Sequence, residues 1–144
     1  MSDADEPVTR PEVTAALARG ITRLMRDHAN ACILEVPLAN GRRADVMALG
    51  PQGEIWIIET KSCAADFTVD QKWPEYIEYC DRFFFGVAED FPQNLLPLDA
   101  GLIVADGFGG AILRQGPLTP LAPARRKAMT LQFARLAAQR LGDI

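Results

Sequence analysis

Val13, Leu17, Ile21, Leu24 and Met25 recur every three or four residues, forming one apolar helical stripe that also takes in His28. Just ahead of it, Thr9-Arg10-Pro11-Glu12 has the form of a capping box, with Pro at or near the first helical position, so a helix is predicted from Pro11. The period then shortens. Ala31 to Leu38 is rich in β-branched and apolar residues and ends before Asn40-Gly41, a turn signal. Arg43 to Leu49 follows, then the turn Gly50-Pro51-Gln52-Gly53. Glu54 to Lys61 contains the unbroken apolar run Ile55-Trp56-Ile57-Ile58, typical of a strand covered on both faces. Between Asp66 and Asp81 the period is helical again through Val69, Trp73, Ile77 and Cys80. Pro74 predicts a loose first turn and a regular helix after it, because an interior Pro removes a backbone hydrogen bond. Arg82 to Val87 reads as a buried strand. Gly101 to Ala105 and Ala111 to Arg114 are shorter strands joined by Asp106-Gly107-Phe108-Gly109-Gly110. A last helix is predicted from about Pro123 to Leu141, with Met129, Phe133, Leu136, Ala137 and Leu141 as its stripe and Gly142 as its C-cap. The order is αβββαβ followed by ββα, an α/β or α+β sheet with helices packed against it.

Composition narrows the class. The chain has 144 residues, 49% of them apolar and 24% charged, as expected for one globular domain. Residues 1–8 read as a disordered acidic tail and 9–144 as a single domain. No run of about 18 apolar residues predicts a membrane span. The polar, acidic start is unlike a signal peptide, so a cytoplasmic protein is expected. Cys32, Cys63 and Cys80 lack metal-ligand spacing and read as reduced thiols.

The net charge of −4 argues against a nucleic-acid protein until its distribution is considered. Asp3, Asp5 and Glu6 sit in the tail, whereas residues 123–144 carry Arg125, Arg126, Lys127, Arg135 and Arg140 against one acid, Asp143. Whole-chain charge says little about a local patch.

Glu59 and Lys61 stand two apart at the end of the most apolar strand and therefore share a face. Charges at such a position are costly unless paired or bound to a metal. Asp45 lies on the preceding strand. A three-residue loop Pro51-Gln52-Gly53, with Gly53 left-handed, sets Asp45 directly opposite Glu59, whereas a two-residue loop sets it opposite Ile58. Facing Cβ atoms lie about 4.5–5.5 Å apart. Two carboxylates about 4 Å apart repel by roughly 4 kcal/mol at an effective dielectric of 20. Mg²⁺ suits such a pair, since it takes one or two carboxylates plus phosphate oxygens and waters. Phosphodiester hydrolysis needs such a metal to activate water, and a cation to stabilise charge on the phosphate. Asp45 and Glu59 would hold the metal, with the Thr60 carbonyl as a third ligand. Lys61 would supply the cation or orient the water. The plainer reading is an exposed Glu–Lys pair at a strand end.

The run Arg42-Arg43-Ala44-Asp45-Val46, followed by Glu54-Ile55-Trp56-Ile57-Ile58-Glu59-Thr60-Lys61-Ser62, resembles the PD-(D/E)XK nuclease superfamily. Asp66-Phe67, Asp70-Gln71-Lys72-Trp73-Pro74 and Cys80-Asp81 resemble more narrowly the MmcB family, small bacterial proteins associated with DNA repair and mitomycin C resistance. The likeness extends to Gly101–Asp106 and Leu121–Ala128; the superfamily's Pro before the Asp is Ala44 here. The resemblance implies a restriction-endonuclease-like αβββαβ core with a mixed central sheet, extended by the C-terminal strands and helix. It implies Asp45 and Glu59 as metal ligands, Lys61 as catalytic lysine, and Mg²⁺ or Mn²⁺ as cofactor. DNA and repair proteins are the implied partners, and a homodimer is one way to engage two strands. The implied activity is metal-dependent DNA cleavage. The alternative is a non-catalytic nuclease-fold module that binds DNA or protein in repair.

Neighbouring residues carry two readings each. Glu12 is either the capping-box partner of Thr9 or an additional acid of the site, and the cap explains it without tertiary assumptions. Gln71 and Lys72 either face the site or serve locally, Gln71 capped from Thr68 and Lys72 solvated. Trp73 and Tyr76 read as packing residues. Arg42 and Arg43 either bind phosphate or border the turn after Gly41. Arg125, Arg126 and Lys127 read first as the polar start of the last helix and second as a DNA clamp, since three bases there oppose the helix dipole and ask for an anionic partner. His28 reads as structural. Asp106–Gly110 lacks the Lys-Ser/Thr of a phosphate loop and reads as a hairpin turn.

Overall fold

The computed structural model describes residues 9–69 and 72–143; the predicted tail at 1–8 and Gln71 lie outside the described residues. Six strands, β1 (Ala31–Pro37), β2 (Arg43–Leu49), β3 (Ile55–Lys61), β4 (Arg82–Val87), β5 (Gly101–Ala105) and β6 (Gly110–Arg114), form one sheet in chain order. The β1–β2, β2–β3 and β5–β6 pairs are antiparallel, while β3–β4 and β4–β5 are parallel. Three helices flank it: α1 (Arg10–Asp27), α2 (Ala64–Val69) and α3 (Pro123–Gly142). This is the predicted mixed α+β sheet with helices against it.

Alternation along the strands divides the core in two. Val46, Ala48, Trp56, Ile58, Phe84 and Ile103 meet Leu17, Ile21, Leu24 and Met25 of α1 on one face. Met47, Ile55, Ile57, Phe83, Phe85 and Leu102 pack on the other with Tyr76, Tyr79 and the α3 residues Met129 and Phe133. The Ile55–Ile58 run is buried at every position, as a strand covered on both faces requires. α1 approaches the sheet closely because Gly86 lacks a side chain: a Cβ there would lie 2.6 Å from Ile21 Cδ1.

The β2–β3 loop is the predicted three-residue one. Gly50 N–H bonds Glu54 O at 2.8 Å, and Gly53 takes a φ of +92°. The register runs from Leu49–Ile55 to Val46–Ile58, so the next step sets Asp45 opposite Glu59. The Thr9 capping box is also present. Thr9 Oγ1 accepts Glu12 N–H at 3.3 Å and Glu12 Oε2 accepts Thr9 N–H at 3.4 Å.

Three expectations are corrected. Trp73–Tyr79 is a 3₁₀ turn, not a regular helix after Pro74. Side chains three apart eclipse in a 3₁₀ turn, and Trp73, Tyr76 and Tyr79 exploit this. Trp73 and Tyr76 both stack on Phe83, and Tyr79 is buried. His28 is the exposed C-cap of α1 and not part of its buried stripe. At the far end of α3, Asp143 and not Gly142 is the C-cap, and Leu141 is exposed and not part of the buried stripe.

One polar group pins the halves together. Asp81 is 2% exposed, and its carboxylate accepts the N–H groups of Ile55 (2.8 Å) and Leu121 (2.9 Å) and both terminal nitrogens of Arg126 (2.9 and 2.5 Å). Arg126 also bonds Gly53 O at 2.7 Å. The start of α3 is thereby fixed to the start of β3.

Candidate active site

Because β2 and β3 are antiparallel, the beginning of β2 lies beside the end of β3, and Asp45 meets Glu59 there. The ladder between them is replaced by side chains. Asp45 N–H donates to Glu59 Oε1 at 2.8 Å, while Asp45 Oδ2 accepts Thr60 N–H at 2.8 Å and Thr60 Oγ1 at 3.0 Å. On a strand, the N–H and C=O of one residue address the same neighbour, so the Thr60 carbonyl shares the β2 side.

Glu59 is 5% exposed and Lys61 9%, and Asp45 is half-buried. The exposed Glu–Lys pair of the plainer reading is therefore not what the fold makes. Burial, followed by the adjacent Asp45 carboxylate, pushes the Glu59 carboxyl up to about 9; the Asp45 N–H and the Lys61 ammonium offset only part of this. In the neutral range Glu59 thus holds a proton. A cation in that place would permit both carboxylates to ionise.

Asp45 and Thr60 open onto a cleft of about 540 Å³ that is also lined by Arg10, Thr14 and Glu35. Sequence reasoning missed Arg10 and Glu35. Arg10 pairs with Asp66 at 3.2 Å and reaches Cys63 Sγ at 3.5 Å, tying the start of α1 to the segment after β3. The Ser62 hydroxyl, 2.7 Å from Asp66 Oδ2, helps hold that carboxyl below its usual range. Glu35 stands between the Leu34–Val46 and Val36–Ala44 pairs, opposite Asp45, with a φ of +52°. Left-handed backbone at a glutamate leaves no signal in an apolar/polar period.

A family model for MmcB-like DNA repair proteins matches residues 2–144. The chain belongs to the MmcB-like DNA repair protein family. No curated protein matches. Among solved structures, the SPO1766 protein of unknown function from Silicibacter pomeroyi is 47% identical, with a TM-score of 0.85 over 94% of this chain and 91% of that one. A role in DNA repair follows from the family, and no helix among the described residues is long and apolar enough to cross a membrane.

In this MmcB-like chain the remaining candidates are scattered. Glu12 serves the capping box and lines a different cleft from Asp45. Lys72 is exposed. Arg42 and Arg43 lie at the Asp45 end of β2; Arg42 pairs with Glu75 at 2.5 Å, and Arg43 is exposed. Arg126 is committed to Asp81 at the opposite end of β3 from Glu59, and Arg125 lies 4.2 Å over the Tyr79 ring. The bases at the start of α3 therefore do not converge on Asp45 and Glu59; of the three, only Lys127 is exposed.

Proposed function

We propose that this protein is a metal-dependent phosphodiesterase acting on DNA, of PD-(D/E)XK type, with Asp45 and Glu59 as metal ligands and Lys61 as the catalytic lysine. The observation that carries this is the Asp45–Glu59 pair, two carboxylates held together where β2 begins and β3 ends, with burial first and the Asp45 carboxylate second pushing the Glu59 carboxyl up to about 9. The donor set fits a hard cation. Two carboxylates and the Thr60 carbonyl are oxygen ligands of the kind Mg²⁺ or Mn²⁺ accepts. With these three ligands, Mg²⁺ would keep its remaining positions for water and phosphate.

When bound, the metal supplies Lewis acidity and an acidified water. Asp45 holds its orientation through Thr60, and Glu59 through Asp45 N–H. Lys61, on the same face of β3 as Glu59, brings positive charge to the phosphate or orients the water. Burial of Glu59 and Lys61 lowers the local dielectric and strengthens each of these interactions.

The test is titration of the full chain with Mn²⁺, together with incubation on nicked, branched and single-stranded DNA with Mg²⁺ or Mn²⁺. Asp45→Ala should abolish both metal binding and cleavage. If wild type binds no metal and matches Asp45→Ala on every substrate, the hydrolytic reading fails. The family match, which carries a repair role and no stated activity, supports a second reading, a non-catalytic module in repair. Damage resistance that survives both Glu59→Ala and Lys61→Ala in cells would establish it.

A further inference from the structure

α1 separates two clefts. The Asp45 cleft lies on one flank. On the other, a larger cleft of about 960 Å³ runs between the N-terminal half of α1, the segment after β4 and the β5–β6 hairpin. Its lining includes apolar Val13, Ala16 and Leu113, and its charged members, Glu12, Glu89, Asp90 and Asp106, are all acidic. Glu12 and Asp106 bond backbone N–H groups. Glu89 and Asp90 are exposed, with no ion pair among the described residues. Phe108, at the hairpin tip, is 82% exposed, and Leu113 is 55% exposed. Arg23 donates to Phe108 O at 3.1 Å and Arg19 lies beside Gly107 at the α1 edge, so the acids offered to a partner are Glu89 and Asp90, which match a cationic, apolar protein surface.

The chain carries that surface itself. Leu131, Ala134, Ala138 and Leu141 are all exposed on the outer side of α3. Their spacing of three, four and three aligns them in one stripe. Leu131 is 53% exposed and Leu141 69%. Exposed Lys127 and Arg135 flank the stripe, and Pro123–Gly142 contains no acid.

We propose that the outer face of α3 of one copy docks in the acidic cleft of a second copy, with Phe108 as apolar anchor and Glu89 and Asp90 opposite Lys127 and Arg135. Cleft and helix are different surfaces, so a single contact is heterologous: it closes as a reciprocal pair or as a ring, and otherwise extends into a filament. It does not depend on the hydrolytic reading.

Sedimentation velocity of the full chain over a concentration series, at low and high salt, tests this. Wild type should assemble with rising concentration, less so at high salt. Glu89→Lys with Asp90→Lys, and separately Lys127→Glu with Arg135→Glu, should each leave monomers with an unchanged circular dichroism spectrum. An equimolar mixture of the two variants should assemble again, because reversed cleft now fits reversed helix. Phe108→Ala should weaken assembly by about tenfold or more. The proposal is overturned if wild type stays monomeric throughout, if assembly ignores the charge reversals, or if the mixture fails to restore it.

Discussion

Asp45 gives its backbone N–H to Glu59 Oε1 at 2.8 Å, one step past the last paired residues of the β2–β3 ladder. The two acids are thus held together by the main chain of one and the side chain of the other. Glu59 cannot swing away without breaking that bond, and the Asp45 carboxylate is held in turn by Thr60 N–H and Thr60 Oγ1. The electrostatic conflict at the site is built into the hairpin.

This conflict has a pH signature. Glu59 has a carboxyl pKa of about 9 in the folded chain against 4.5 for an ordinary glutamate. Between those values the folded state binds a proton that the unfolded state does not. Stability is therefore greatest below about pH 4.5 as far as this group is concerned, and falls as pH rises to about 9. The slope is at most about 1.4 kcal/mol per pH unit. Urea unfolding at several pH values should show wild type losing stability across this window and Glu59→Gln losing much less. Mg²⁺ should restore wild type at neutral pH and leave Glu59→Gln unmoved.

Arg126 was a candidate for DNA contact by its place in a basic run, yet it neutralises buried Asp81. Removing one partner of such a pair costs about 3–5 kcal/mol, because the other charge stays buried. Arg126 is partly exposed, so Arg126→Ala is expected near the lower figure in chemical denaturation. Arg126→Lys should recover only part of the loss, since a lysine cannot reproduce the two-pronged contact.

Gly20 faces the β5–β6 hairpin across α1. A Cβ there would lie 1.9 Å from Asp106 O and 2.7 Å from Gly109 O, both backbone atoms. The hairpin would have to retreat. Overpacking of this kind costs typically about 1–3 kcal/mol. A thermal melt of Gly20→Ala should show a clear fall in Tm, although alanine favours helix.

Glu12 separates capping from catalysis. Thr9→Ala should cost about 1 kcal/mol through loss of the cap. Glu12→Gln keeps the capping box, so it should leave the melting temperature nearly unchanged. Metal affinity measured by Mn²⁺ titration should also be unmoved by Glu12→Gln. A large fall in affinity would show that Glu12 reaches the site after all.

Local chemistry determined much of this molecule. Apolar runs bounded by turn residues specify β2, β4 and β5 to the residue. Gly53 sets the β2–β3 loop, and with it the register that faces Asp45 with Glu59. Period-2 geometry alone places Glu59 and Lys61 on one face. Tertiary structure decided the rest, because the deciding partners are far apart in sequence. Packing on Phe83 drew Trp73, Tyr76 and Tyr79 into a period of three, where the spacing of Val69, Trp73 and Ile77 had suggested a regular helix. Asp81, 45 residues from Arg126, turned an apparent nucleic-acid contact into a strut. The sequence places acid beside acid. Burial, which depends on the whole core, makes Glu59 hold its proton.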